Sequence, residues 1–167
     1  MNNLSNILPS PELFLKNIFK ELQDLSIDIS KFECDHMCYR VETYSKYLEL
    51  KEKLHQIGTL VGEEVINLRP ISVFKLYNPI QYESVKISCI ELPAPKENSF
   101  YNEGWEHVEF VLTTSFETFM KQYPKLVFEK NNMNKSINPD IYIKLPSGVV
   151  KFHPISIEDK IKITSSK

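Results

Sequence analysis

Two stretches of the chain can be laid over one another, and this match constrains the fold more than any other feature. Asp35-His36-Met37-Cys38-Tyr39-Arg40-Val41 and Glu106-His107-Val108-Glu109-Phe110-Val111-Leu112 both read acid, His, apolar, any residue, aromatic, any residue, apolar. Alternation with a period of two is the signature of a strand with one buried face. The surroundings repeat too. After the first stretch, Thr43 predicts the cap of a helix with the apolar stripe Tyr47, Leu50, Leu54 and Ile57, closed by a left-handed stop at Gly58. Extended segments are expected from about Leu60 to Leu68, Ile71 to Tyr77 and Tyr82 to Leu92, broken at Arg69-Pro70 and Asn78-Pro79. After the second stretch, Ser115 predicts the cap of a short helix carrying Phe116, Phe119 and Met120 and ended by Pro124. Strands are then expected near Leu126 to Glu129, Asp140 to Leu145 and Val149 to His153, with an Asn-rich loop from Asn131 to Asn138. Lys86 to Pro93 closes the first half much as Lys151 to Pro154 closes the second. Each half is therefore expected to be a βαβββ unit, which makes the chain an α+β protein.

Ahead of the repeat, Ser10-Pro11-Glu12 starts a helix whose Leu15, Ile18, Phe19, Leu22 and Leu25 recur at helical spacing. The 167 residues, 42% of them hydrophobic, suffice for one compact domain. Its parts are an N-terminal helix over 10–26, a first module over about 33–93 and a second over about 104–155; the tail after Glu158 is too polar to be expected to pack. Twenty basic against twenty-two acidic residues carry no nucleic-acid footprint. No apolar run approaches the roughly 20 residues that cross a bilayer, and the polar N-terminus lacks the zones of a signal peptide, so the cytoplasm is the expected compartment. Cys34, Cys38 and Cys89 cannot all pair and are expected to be buried thiols. The glycines, at 58, 62, 104 and 148, stand singly, which excludes a P-loop and a dinucleotide fingerprint.

Duplicating the unit lets the first and last strands of each copy line one concave face. His36 and His107 open the copies; Glu91 and His153 close them. Three imidazoles and one carboxylate suit a divalent transition ion, Zn, Ni, Fe, Co or Mn, better than Mg or Ca. Four such ligands on an octahedral ion leave two positions for a substrate with adjacent oxygens, whose carbonyl the ion would polarise. The remaining histidine, His55, sits near a helix C-terminus, where the dipole explains it. Strand parity puts Cys38 and Arg40 on the face of His36, and Glu109 and Val111 on that of His107. Glu109 is a candidate general base if burial raises its pKa, against a structural role orienting His107. Arg40 and Arg69, the only arginines, are candidates for binding a substrate anion.

These residues resemble the vicinal oxygen chelate superfamily, which includes glyoxalase I, ring-cleaving dioxygenases and fosfomycin-resistance proteins. Within it the chain is similar to the YecM family of small bacterial proteins, through the strand at Asp35-His36, Gly62 to Ile71, Ile90 to Pro93, Gly104 to His107 and Lys151 to Pro154. The resemblance implies paired βαβββ modules forming an open, cupped mixed sheet around a metal, with His36, His107 and Glu91 as ligands. It also implies an arginine, Arg40, that grips a substrate carboxylate, as the pattern His, three residues, Arg, Val does in glyoxalase I. The superfamily usually ends its last strand in a glutamate ligand; here His153 stands one residue late relative to the turn glycine. The expected activity is metal-dependent isomerase or lyase chemistry on a small molecule. A non-heme iron dioxygenase, a non-catalytic small-ligand or metal-binding module and an interaction module without metal are the rivals. Sheets of this type often pair, so a homodimer is an expected assembly.

Overall fold

The computed structural model describes residues 4–100 and 102–165. A 3-10 turn at Leu4–Asn6 leads into α1 (Glu12–Asp24), β1 (Glu33–Arg40), α2 (Tyr44–Leu54), β2 (Gly58–Ile66), β3 (Arg69–Tyr82) and β4 (Val85–Pro93). The second half runs β5 (Gly104–Val111), α3 (Phe116–Gln122), β6 (Glu129–Asn132), β7 (Asp140–Leu145), β8 (Gly148–His153) and α4 (Ile157–Ser165). The eight strands form one mixed sheet in the order β2-β3-β4-β1-β5-β8-β7-β6. β1 pairs parallel with β4, β5 pairs parallel with β8, and β1 and β5 meet antiparallel at the centre. The two βαβββ units thus have the same topology and abut through their first strands.

Alternation along the four central strands sorts the side chains. Met37, Tyr39, Ile90, Leu92, Val108, Phe110, Val150 and Phe152 belong to the main apolar core with Leu15, Ile18 and Leu22 of α1, Tyr47, Leu50 and Leu54 of α2 and Phe119 of α3. His36, Cys38, Glu91, His107, Glu109 and Lys151 take the intervening positions and line a cavity on the other face. The expected caps form: the Thr43 hydroxyl accepts the Lys46 N–H, and the Ser115 hydroxyl accepts the Thr118 N–H. All three cysteines are buried, free thiols.

Several local expectations fail for identifiable reasons. Gly58 is no left-handed stop; it opens β2, where a Cβ would stand 2.7 Å from the Lys75 carbonyl oxygen. The first hairpin turns at Asn67 and Leu68, both in the left-handed region (φ 52° and 64°), so Arg69-Pro70 starts β3 instead of breaking it. Asn78-Pro79 lies within β3, at an irregularity between Lys75 and Ile80 that accommodates a residue without an N–H, and the chain reverses only at Glu83 (φ 49°). β6 starts three residues later than the segment expected from Leu126 and runs into the Asn-rich stretch. The tail also packs. Ile157 and Ile161, one helical turn apart on α4, join Val73 and Cys89 in a second apolar cluster on the cavity face.

Candidate metal centre

Each acid-His pair sits at a break in the pairing of the central strands. Cys34 pairs with Phe110 and His36 with Glu109, so Asp35 is an extra residue on β1; Cys38 pairs with His107 and Tyr39 with Trp105, so Glu106 is an extra residue on β5. A β-bulge re-aims side chains that a regular strand would send to opposite faces. Consequently Asp35 reaches its own neighbour, its Oδ2 lying 2.8 Å from His36 Nδ1, and the Glu106 carboxylate likewise contacts His107 Nδ1. Both Nε2 atoms are turned toward one oxygen, Glu109 Oε1, 3.4 Å from His36 and 3.0 Å from His107. Glu91 Oε1 is 3.8 Å from His107 Nε2, and one ligand atom each from His36, Glu91 and His107 lies within 4.8 Å of the others.

β8 contributes something the sequence reading overlooked. The pairing of β5 with β8 runs unbroken from His107 opposite Val149 to Val111 opposite His153, and it sets Lys151 opposite Glu109. In the first module Glu91 stands opposite Cys38, two residues after His36, as Glu109 is two after His107. Lys151 is therefore the counterpart of Glu91. Its Nζ lies 2.7 Å from Glu109 Oε1 and 3.0 Å from His107 Nε2. An ammonium donating to Nε2 places the ring proton on Nδ1, against Glu106. His153 lies deeper, fully buried, its Nε2 3.5 Å from Asp35 Oδ2 and 3.8 Å from Glu109 Oε2. It groups with Asp35 and His36, outside the set formed by His36, Glu91 and His107. The Asn138 amide is 2.8 Å from its Nδ1.

The two arginines part company. Arg40 Nη2 is 3.1 Å from Glu106 Oε1, so its charge supports the carboxylate behind His107. Arg69 donates from Nη1 to the Ala94 carbonyl (2.8 Å), its buried Nε has no partner, and it has no carboxylate within ion-pair distance among the described residues. It lines the cavity, about 430 Å³, that opens over the histidines, a size suited to a small ligand. α4 forms one wall: Lys160 and Thr164 both engage Glu64, and the Ile157 N–H donates to Asp35 Oδ2 (2.8 Å). A larger groove, about 1060 Å³, between α1 and the β3–β4 turn contains no histidine.

The electrostatics reverse one expectation. Burial alone would raise the Glu109 pKa, but the charges of Lys151 and His36 and the hydrogen bonds to the two imidazoles hold it well below the carboxylate range. For His36, burial opposes protonation, yet Glu109 and the hydrogen-bonded Asp35 outweigh it and raise the imidazole to about 9. Burial keeps His153 below its ordinary value despite Glu109. A raised base stabilises the fold fully below its unfolded value of about 6.5 and loses that contribution through about 9, whereas a lowered one withdraws stability as pH falls below about 6.5. The metal-free protein is expected to show a higher urea midpoint at pH 7 than at pH 9.5, and His36→Gln to flatten that alkaline limb. Equal midpoints would mean that His36 carries no proton.

A search for relatives matches the family model described as YecM protein over residues 3–164. The chain belongs to the YecM family. Protein YecM of Escherichia coli K12 is 28% identical over 174 residues, covering 95% of this chain and 93% of its own. A solved structural-genomics structure, protein EC4020, superposes with a TM-score of 0.81 at 28% identity over 98% of this chain and 97% of that one. Streptomyces coelicolor methylmalonyl-CoA epimerase, solved with 2-nitronate-propionyl-CoA, shares the fold at a TM-score of 0.52 and 12% identity, over 72% of this chain and 95% of its own. The fold, paired βαβββ units in one open mixed sheet, is thus one that the epimerase shares. Among the described residues, no helix is long and apolar enough to cross a membrane.

The sequence contained a signal for the backing carboxylates, since both copies of the repeat begin acid-His, but only the bulges reveal their use. For Lys151 the signal was misleading: matching Pro93 with Pro154 aligns Glu91 with Phe152, and only strand pairing aligns it with Lys151.

Proposed function

We propose that this chain binds a divalent transition metal through His36, His107 and Glu91, with Glu109 as the further carboxylate on the same ion. It acts on a small anionic substrate that offers two oxygens to that ion, in the manner of an isomerase or lyase. The observation that carries this reading is that both imidazoles are backed by a carboxylate on Nδ1 while their Nε2 atoms converge on a carboxylate oxygen. That arrangement fixes the ring orientation and raises the basicity of a metal-ligating histidine. The spacings fit an ion as well. Donors about 2.1 Å from a common metal stand about 3.0 Å apart at right angles and about 3.4 Å apart in a tetrahedron. These are the separations from Glu109 Oε1 to the two Nε2 atoms.

Charge points the same way. With both histidines neutral, as ligation requires, the four carboxylates Asp35, Glu91, Glu106 and Glu109 have, among the described residues, only Lys151 and Arg40 as cationic ion-pair partners, leaving two negative charges for a divalent cation to offset. The ion, when bound, supplies Lewis-acid polarisation of a substrate oxygen. The chain supplies the rest: Asp35 and Glu106 hold the Nδ1 protons, α4 narrows access to the cavity, and Arg69 binds the substrate anion. Arg40, engaged by Glu106, orients His107 through that carboxylate. His153, a neutral imidazole below Glu109, packs beneath the ligands.

Competition titration of tag-free protein with Zn, Ni, Co, Mn and Fe(II) tests the reading. One ion per chain is expected, with Glu109→Gln weakening it about 10-fold or more. Unchanged affinity with lost turnover on α-hydroxy or α-oxo acids would make Glu109 the proton acceptor instead. No uptake of any of these ions would overturn the metal reading and leave a small-ligand-binding module.

A further inference from the structure

We infer that Lys151 is a built-in counter-cation that competes with the metal for His107 and Glu109, and so sets how tightly the cup binds an ion. The inference rests on the metal reading above and adds the residue that tunes it.

Position is the first argument. The inward residue of the last strand is a carboxylate, Glu91, in the first module and an ammonium, Lys151, in the second, at equivalent points of the strand pairing. The duplication thus offers a second last-strand ligand position and fills it with a cation. Geometry is the second. Lys151 Nζ is 3.0 Å from His107 Nε2, where it uses the lone pair a metal would need, and 2.7 Å from the same Glu109 oxygen that approaches both imidazoles. An ammonium and a divalent ion cannot hold those two atoms together, because like charges this close repel strongly in a partly buried site. Loading must move the lysine side chain off both partners. The stem is long and flexible, and the side chain is 24% exposed at the cavity wall, so it has somewhere to go.

The test is competition titration with Zn of the wild type, Lys151→Met and Lys151→Glu, with Lys151→Gln as a version that keeps a donor for Glu109. Removing the cation is expected to tighten Zn binding 10-fold or more in Lys151→Met and Lys151→Gln, and Lys151→Glu, which supplies the carboxylate missing from β8, is expected to bind more tightly still. If the wild type binds and the variants bind equally or more weakly, Lys151 does not compete, and the inference falls while the metal reading stands. If neither the wild type nor any variant takes up Zn, Ni, Co, Mn or Fe(II), both fall together. Uptake confined to the variants would support competition by Lys151 while overturning the proposal that the wild-type chain holds an ion.

Discussion

His36→Ala and His107→Ala are each expected to abolish metal uptake, lowering affinity by more than about 100-fold, as the loss of a ligand should exceed the 10- to 100-fold cost of losing its hydrogen-bonded support. Elemental analysis of tag-free protein, the wild type beside both variants, reads this directly: near one ion per chain in the first and none in the others. The two residues come from different modules and meet only through the pairing of β1 with β5. Equal losses would therefore establish a site shared between the halves. A variant that keeps its ion would show that the other module holds metal alone, and would sink the arrangement proposed here.

Asp35→Ala is expected to have the largest effect on stability. Asp35 is 4% exposed and serves three groups: it accepts from His36 Nδ1 and from the Ile157 N–H, and it faces His153 Nε2. Its removal strands buried donors. Breaking a buried charged pair from one side costs about 3–5 kcal/mol. In a chain of this size that lowers Tm by roughly 6–20 °C. Asp35→Asn, which keeps one acceptor, should fall between the variant and the wild type. A thermal melt of metal-free protein gives the first number, and hydrogen exchange at the Ile157 amide gives the second, since α4 is anchored to the site at that bond. A Tm change below about 2 °C would show that Asp35 is dispensable to the fold.

Much of this architecture was legible because period-two alternation on the four central strands separates a hydrophobic face from a chemical one so cleanly. His36, His107 and Glu91 emerged from that alternation together with the repeat. The remainder depended on information that a linear pattern does not contain. Asp35 and Glu106 should, by parity, point away from the histidines beside them, and only a bulge brings them round. α4 has just two buried apolar residues, Ile157 and Ile161, so its amphipathic signal was lost among Lys160, Lys162 and the polar residues that follow. Arg69-Pro70 and Asn78-Pro79 looked like turns because proline and asparagine favour them, but the left-handed residues Asn67, Leu68 and Glu83 make the reversals, and a strand irregularity accommodates Asn78-Pro79.

The abutment of the two modules through β1 and β5 gives the site a mechanical meaning. Each half supplies one histidine backed by its own carboxylate, and each brings two of the four ligands of the proposed site. A bound ion would act as a clasp between segments that lie far apart in the chain, much as a crosslink does, and would disfavour any state in which the halves separate. Unfolding either module would have to release the ion first, so occupancy would govern how long the protein survives as well as what it can do.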